Sequence, residues 1–309
     1  MDTLGADILR LWVASSDYSG ELTISNEILK RVVESYRRVR NTLRFLLANT
    51  SDFDPAQHAV PVAEMTEIDR YALARAAQLQ DEAIADYERY QFHVVVQKLQ
   101  GFCSEEMGGI YLDIVKDRLY TCGAGSRARR SAQTALWHIA HTLVRLMAPI
   151  LSFTAEEAWH VMKGADGGSV FEEVWHAIPG HGLDAAALEE WAEVRRVRGL
   201  VAKKIEEKRE RKEIGSSLQA ELDIYAEGPA LRSMKRLGED LKFVFITSRA
   251  TVHERVGAEL AVEVAPSAHQ KCERCWHYRA DVGSNPEHPA LCGRCVANLY
   301  GAGEPRVHA

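Results

Sequence analysis

Six cysteines are present, and four of them stand in two pairs of identical spacing, Cys272-Glu-Arg-Cys275 and Cys292-Gly-Arg-Cys295. Each Cys-x-x-Cys turn can aim two sulfurs at one point. Two such turns about sixteen residues apart fall within the spacing of a tetrahedral four-thiolate zinc site. Two disulfides are the competing use of four thiols. The sequence opens without the charged and apolar regions of a secretory leader, however, and Cys103 and Cys122 lie unpaired in helical sequence, so metal binding in a reducing setting is expected. Four protein ligands leave no open coordination position, and a single structural Zn2+ rather than a catalytic one follows.

Arg274 and Arg294 hold equivalent places in the two turns, and Trp276, His277 and Tyr278 directly follow the first. Exposed aromatics beside guanidiniums are what unstacked RNA bases stack upon and pair with. The alternative role for Trp276 is to cover the metal. A second candidate surface lies on a helix expected from Ser25, a good N-cap, with Glu27 in its first turn. Ile28, Val32, Tyr36, Val39, Leu43 and Leu46 fall on one arc of that helix, and Arg37, Arg40, Asn41 and Arg44 on another. No acidic residue lies on the basic arc to neutralise it, so its guanidiniums are expected to stand ready for phosphates or base edges. A third basic surface is the helix capped by Asp184, which carries nine Lys or Arg against three Glu between Arg195 and Lys212, Lys203 and Lys204 among them. It can follow a phosphate backbone, or serve as a solvated face paired through its own glutamates.

The elements that must position these residues are mostly helical. With 46% hydrophobic residues over 309 positions the chain can bury more than one core, and its net charge of -6 excludes whole-surface attraction to nucleic acid, leaving local basic clusters to do that work. No run approaches a membrane span, and a cytoplasmic protein is expected. After Ser25, helices are expected from Thr66, where Thr66-x-x-Asp69 resembles a capping box, to Tyr87; from Gln91 to Met107; from Gly109 to Tyr120; from Ser126 to Met147; and after a second capping box, Thr154-x-x-Glu157. His138 and His141 lie inside one of these helices and read as helix-surface or core-edge histidines. Past Gly215, alternation at Leu218, Ala220, Leu222 and Ile224 predicts a strand, Gly228-Pro229 opens a helix, Phe243 to Thr247 reads as a strand, and Leu260, Val262 and Val264 alternate as another.

The expected fold is therefore mainly α: a helical bundle over 25–165, a linker over 166–183, a long basic helix over 184–214, a small α+β unit over 215–265 and a zinc-binding domain over 266–309. Residues 1–24 are dense in apolar groups and read as the continuation of a preceding domain.

With these residues in view, the chain resembles the C-terminal part of bacterial-type isoleucyl-tRNA synthetases, class I enzymes. The likeness is carried by Gly5-Ala-Asp-Ile-Leu-Arg-Leu-Trp-Val-Ala-Ser15, Arg40-Asn-Thr-Leu-Arg-Phe45, Leu151-Ser-Phe-Thr-Ala-Glu-Glu157, Ile214-Gly-Ser-Ser217 and Cys272-Glu-Arg-Cys-Trp-His-Tyr278. The resemblance implies that the bundle is an anticodon-binding domain and that the four-cysteine zinc helps to engage tRNA. It implies that Arg37, Arg40, Asn41 and Arg44 contact the anticodon stem-loop, and that Trp276 stacks on an anticodon base. The His-x-Gly-His and Lys-Met-Ser-Lys-Ser signatures of the family do not occur here. ATP chemistry would then belong to a catalytic domain lying before residue 1, which is an expected partner together with isoleucine tRNA. The other readings are an autonomous zinc-containing RNA-binding or regulatory protein, and the matching part of a valyl, leucyl or methionyl synthetase.

Overall fold

A computed structural model describes residues 4–164, 166–257 and 259–309. The first three positions of the apolar N-terminal segment and position 165, at the end of the expected bundle, lie outside the described residues. Two compact units result, each drawn from three stretches of chain: 1–62, 72–113 and 133–181 in unit 1, and 63–71, 114–132 and 182–309 in unit 2. The expected predominance of helix is found, together with small sheets and a four-cysteine cluster near the C-terminus. No helix among the described residues is long and apolar enough to cross a membrane.

Unit 1 is helical. Helix α1 (Ala6–Ser15) is followed by α2 (Asn26–Asn49), which starts where expected: the Ser25 hydroxyl accepts a hydrogen bond from the Ile28 amide. The short α3 (Pro55–His58) is capped by Asp54. In chain order α4 (Glu67–Glu88), α5 (Phe92–Gly101), α6 (Leu112–Thr121), α7 (Arg127–Met147) and α8 (Ser152–Lys163) follow; α5 and α8 belong to unit 1, α6 lies in unit 2 from Ile114, and α4 and α7 are divided between the units. Where the sequence predicts a break between Met107 and Gly109, the chain instead runs on from α5 to α6 through a π-helical segment, Phe102–Tyr111. Gly108 and Gly109 suit the widened turn, because a Cβ on either would come within 3.3 Å of the carbonyl oxygen of Cys103 or Ser104, five residues back. Phe102, Cys103, Met107 and Tyr111 all point inward as a result, and Thr42 of α2 donates a hydrogen bond to the Cys103 carbonyl.

The second capping box does not form. Helix α8 begins at Ser152, and Thr154 lies inside it. The acceptor for its first turn comes from α1: the Asp7 carboxylate takes hydrogen bonds from the Phe153 and Thr154 amides, at 3.3 and 2.7 Å, and from the Thr154 hydroxyl at 2.6 Å. Ile8 and Leu11 of α1 are buried in the same unit, so α1 packs into the bundle core.

Unit 2 contains α9 (Ala185–Glu210), capped by Asp184, and a three-stranded sheet. Strand β1 (Ala220–Ala226) is central, with β2 (Arg249–Glu254) parallel on one side and β3 (Ala261–Pro266) antiparallel on the other. The parallel pairing needs a crossover, supplied by α10 (Gly228–Leu237) and α11 (Leu241–Phe245). Ala220, Leu222, Ile224 and Ala226 alternate inward along β1. Residues 243–247 are not a strand: Phe243, Val244 and Phe245 form the end of α11, and Ile246 in the left-handed region turns the chain into β2. A short apolar run has no period long enough to distinguish the two forms. Strands β4 (Gln270–Lys271) and β5 (Tyr278–Arg279) and helix α12 (Gly293–Tyr300) frame the cysteines.

Candidate metal centre and nucleic-acid face

The first cysteine turn is tied off by the two-residue ladder of β4 and β5. Within it the Trp276 amide donates to the Cys272 carbonyl and the Cys272 amide donates to the His277 carbonyl, both at 2.9 Å. Trp276 sits at φ 64°, a left-handed conformation uncommon outside glycine, which lets the chain reverse directly after the second sulfur. The second turn runs into a helix: Cys292 is the N-cap of α12 and Cys295 stands in its first turn. The Cys292 amide points at the Cys272 sulfur at 3.4 Å.

All four cysteines are buried, and their sulfurs lie within 4.8 Å of one another. The Cys275 and Cys292 sulfurs are 3.7 Å apart, whereas a tetrahedron of Zn–S bonds of ~2.3 Å has edges of about 3.8 Å. The donor set therefore fits zinc in charge preference, number and spacing, and Val282 and Leu291 pack against it. The other two thiols are unlike these: burial pushes Cys103 up to about 12 and Cys122 up to about 11, which keeps both protonated and unreactive.

Arg274 and Arg294, equivalent in sequence, are not equivalent in space. Arg294 is 8% exposed. Its guanidinium donates to both oxygens of Asp117 at 2.7 Å, to the Thr121 hydroxyl at 2.6 Å and to Glu304 at 2.9 Å. Arg306 shares the Asp117 carboxylate and lies over the ring of Phe243. Burial alone would raise the Asp117 pKa, but Arg294 and Arg306 outweigh it and hold the carboxyl below its ordinary value. The sequence sets Arg294 beside the aromatics as a guanidinium for unstacked bases; in the structure its charge is paired inside unit 2 instead, where it seats α12 on α6. Arg274 donates to the last carbonyls of α6, Thr121 at 2.5 Å and Tyr120 at 3.4 Å. Trp276 is 59% exposed, with the Lys271 ammonium 5.2 Å from its ring centre.

On α9 much of the basic stripe is paired. Lys204 meets Glu207, Lys208 meets Glu213 and Arg209 meets Glu206. Arg195 donates to the Tyr71 hydroxyl and Arg198 to the Val244 carbonyl. Lys203 is exposed.

The α2 arc belongs to unit 1. Asn41 and Arg44 are exposed, but the arc is not free of acidic neighbours as the sequence suggests. Arg37 pairs with Glu34 one turn back, and Arg40 makes a two-pronged pair with Glu157 of α8, both contacts at 2.9 Å. Glu157, which the local pattern predicts as a capping residue, is instead a partner of α2 from 117 residues away. Arg40, Arg44, Leu43, Leu47, Ala158 and Val161 line a groove of about 380 Å³ between α2 and α8. His138 lies at the core edge as expected, whereas His141 is buried, and both meet His176: His138 and His176 share a hydrogen bond of 2.9 Å, and His141 stacks on His176 at 5.2 Å. Burial holds His138 and His176 down at about 4 and His141 at about 2.

Residues 69–224 match the family described as the anticodon-binding domain of tRNA ligase, and residues 270–298 match a zinc finger found in FPG and IleRS. Over its whole length the chain is 61% identical to the isoleucine–tRNA ligase of Bordetella petrii, covering 33% of that protein. It is 60% identical to that of a Janthinobacterium species, again over 33% of the protein, and 61% identical to that of Burkholderia ambifaria over 99% of this chain and 32% of the relative. The chain therefore spans about a third of the length of the curated relatives it matches. With the matched segment extending over half of its residues, the chain belongs to the family of tRNA ligase anticodon-binding domains.

Proposed function

We propose that this chain is the tRNA-reading part of an isoleucine–tRNA ligase, binding the anticodon stem-loop of isoleucine tRNA, with ATP-dependent attachment of the amino acid carried out by a catalytic domain of the kind its longer relatives possess. The observation that carries the reading is Trp276: an indole held out by a left-handed backbone on a four-cysteine scaffold, with an ammonium beside its ring. A buried structural tryptophan would have been drawn over the sulfurs, where Val282 and Leu291 pack instead. One zinc ion, held by Cys272, Cys275, Cys292 and Cys295, fixes that turn and takes no part in chemistry.

In this reading phosphate contacts supply most of the affinity, from Arg44 and Arg37 on α2 and from Lys203 and Lys204 on α9, with Asn41 and Arg40 offering hydrogen bonds to base edges or riboses. Arg274 acts at the edge of the face while it holds the turn, and Arg294 supports it from inside. The boundaries at 25–165, 184–214 and 266–309 then divide a helical reader, a basic connector and a zinc-held tip.

The chain's affinity for isoleucine tRNA is the test. The logarithm of the binding constant should fall linearly with the logarithm of salt concentration, and Trp276→Ala should weaken binding by about 1–3 kcal/mol. Absence of tRNA binding at low salt would remove the reading, and an unchanged constant for Trp276→Ala would remove Trp276 from it. An autonomous RNA-binding module is the second reading, favoured by the burial of Ile8 and Leu11 of α1 within unit 1. Such a module should bind non-cognate tRNA equally well.

A further inference from the structure

The C-terminal end of α6 lies beside the first cysteine turn in unit 2, tied to it by Arg274. The last carbonyls of a helix carry partial negative charge and repel phosphate. Here three successive carbonyls are covered by guanidiniums: Leu119 accepts from the Arg129 Nε at 3.3 Å, while Tyr120 and Thr121 accept from Arg274. Arg129 also donates to the Ala124 carbonyl in the following loop. Two fixed positive charges thus cancel the dipole at a place where it would otherwise exclude an anionic chain.

Tyr120 projects from that end and is 60% exposed, as open as Trp276 at 59%. The two aromatics are joined through Arg274, which stands two residues before Trp276 and holds the backbone of Tyr120. An exposed ring on a helix end capped by guanidiniums, and a second exposed ring with its own ammonium two residues beyond the arginine that caps that end, have the composition of a stacking platform for successive unpaired bases.

We propose that Tyr120 is a second base-stacking residue of the nucleic-acid face, taking an unpaired base of tRNA next to the one taken by Trp276, with Arg274 as the positioning residue that fixes the two rings relative to each other. The proposal rests on the tRNA-binding reading given above.

The test titrates isoleucine tRNA, at one fixed salt concentration, into the zinc-loaded chain and its Tyr120→Ala, Tyr120→Phe and Trp276→Ala variants, with zinc content and melting temperature measured for each. Tyr120→Ala should bind roughly 5- to 150-fold more weakly with zinc content and melting unchanged, and Tyr120→Phe, which keeps the π face, should stay within about twofold of the unaltered chain. If Tyr120→Ala melts early, Tyr120→Leu replaces it, since leucine keeps apolar bulk without a π face and should show the same loss. Normal binding by Tyr120→Ala or Tyr120→Leu beside weakened binding by Trp276→Ala would overturn the proposal and leave the tRNA reading standing. Equal losses for Tyr120→Phe and Tyr120→Ala would replace stacking by a hydroxyl contact and overturn it also. No binding by the unaltered chain would end the tRNA reading, and Tyr120's role with it.

Discussion

Charges fixed inside unit 2 set the sharpest expectation for single residues. Asp69 and Arg118 are essentially inaccessible, and the Asp69 carboxylate accepts from the guanidinium at 2.6 and 2.9 Å and from the hydroxyls of Thr66 and Ser131. Burial works against the charged carboxylate, but Arg118 outweighs it and lowers its pKa. Removing one member of such a pair strands the other, so Arg118→Ala should cost about 3–5 kcal/mol in urea denaturation; a loss below about 1 kcal/mol would show that water replaces the guanidinium. Thr66-x-x-Asp69 was legible as a helix start because a cap is a local matter. The arginine that Asp69 holds was not, since it stands 49 residues away and no periodicity relates the two. The same distance effect hid Asp117 as the partner of Arg294. Cysteine spacing, by contrast, encodes its geometry within each short turn, and all four cysteines of the cluster could be named from sequence.

Helices in unit 1 depend on partners supplied by other helices. Asp7 of α1 serves the first turn of α8, so Asp7→Ala should destabilise the bundle by about 1 kcal/mol, as the loss of an N-cap does, and thermal melting would show it. Unchanged melting would mean that the Thr154 hydroxyl and water suffice. The sequence placed the start of α8 within a few residues but chose the wrong acceptor, because Thr154-x-x-Glu157 satisfies the local pattern while the true acceptor lies 147 residues earlier. The π-helical turn escaped notice for another reason: adjacent glycines signal a break far more often than a widened helix.

The histidine cluster joins α7 to the segment carrying His176, and it makes unit 1 sensitive to acid. All three imidazoles are neutral in the folded chain with pKa values depressed below the ordinary 6.5, so the unfolded chain binds more protons between the two values. Stability from this cluster is full above pH 6.5 and is lost progressively as pH falls towards about 4, where His138 and His176 would charge. Each imidazole contributes at most about 3 kcal/mol to that loss across the window, and less where water still screens it. Replacing His176 by Gln should lessen the pH dependence of melting between pH 6.5 and 4, leaving the part due to His138 and His141; an equally steep profile would place the acid sensitivity elsewhere.

At the scale of the whole molecule, the mainly helical class, the bundle, the strand past Gly215, the helix opened by Gly228-Pro229 and the four-cysteine tip were legible in hydrophobic period and cysteine spacing, whereas the order and direction of the strands were not. The division into two units, each assembled from three separated stretches, was not, because compactness depends on contacts remote in sequence. Zinc should act locally on this architecture. Chelation, or Cys272→Ser, is expected to release the metal and unfold about 40 residues around the cysteines while far-ultraviolet dichroism retains most of its helical signal. Collapse of the helical signal would mean that the bundle depends on the metal.

The central claim is that these 309 residues read isoleucine tRNA. Competition between isoleucine tRNA and a non-cognate tRNA for the zinc-loaded chain, followed across a salt series, tests it most directly. The account predicts a preference for isoleucine tRNA that persists as salt weakens both complexes in parallel, because base contacts add to a shared phosphate attraction. Equal affinity for both at every salt concentration would contradict it, leaving a surface that grips phosphate without reading sequence.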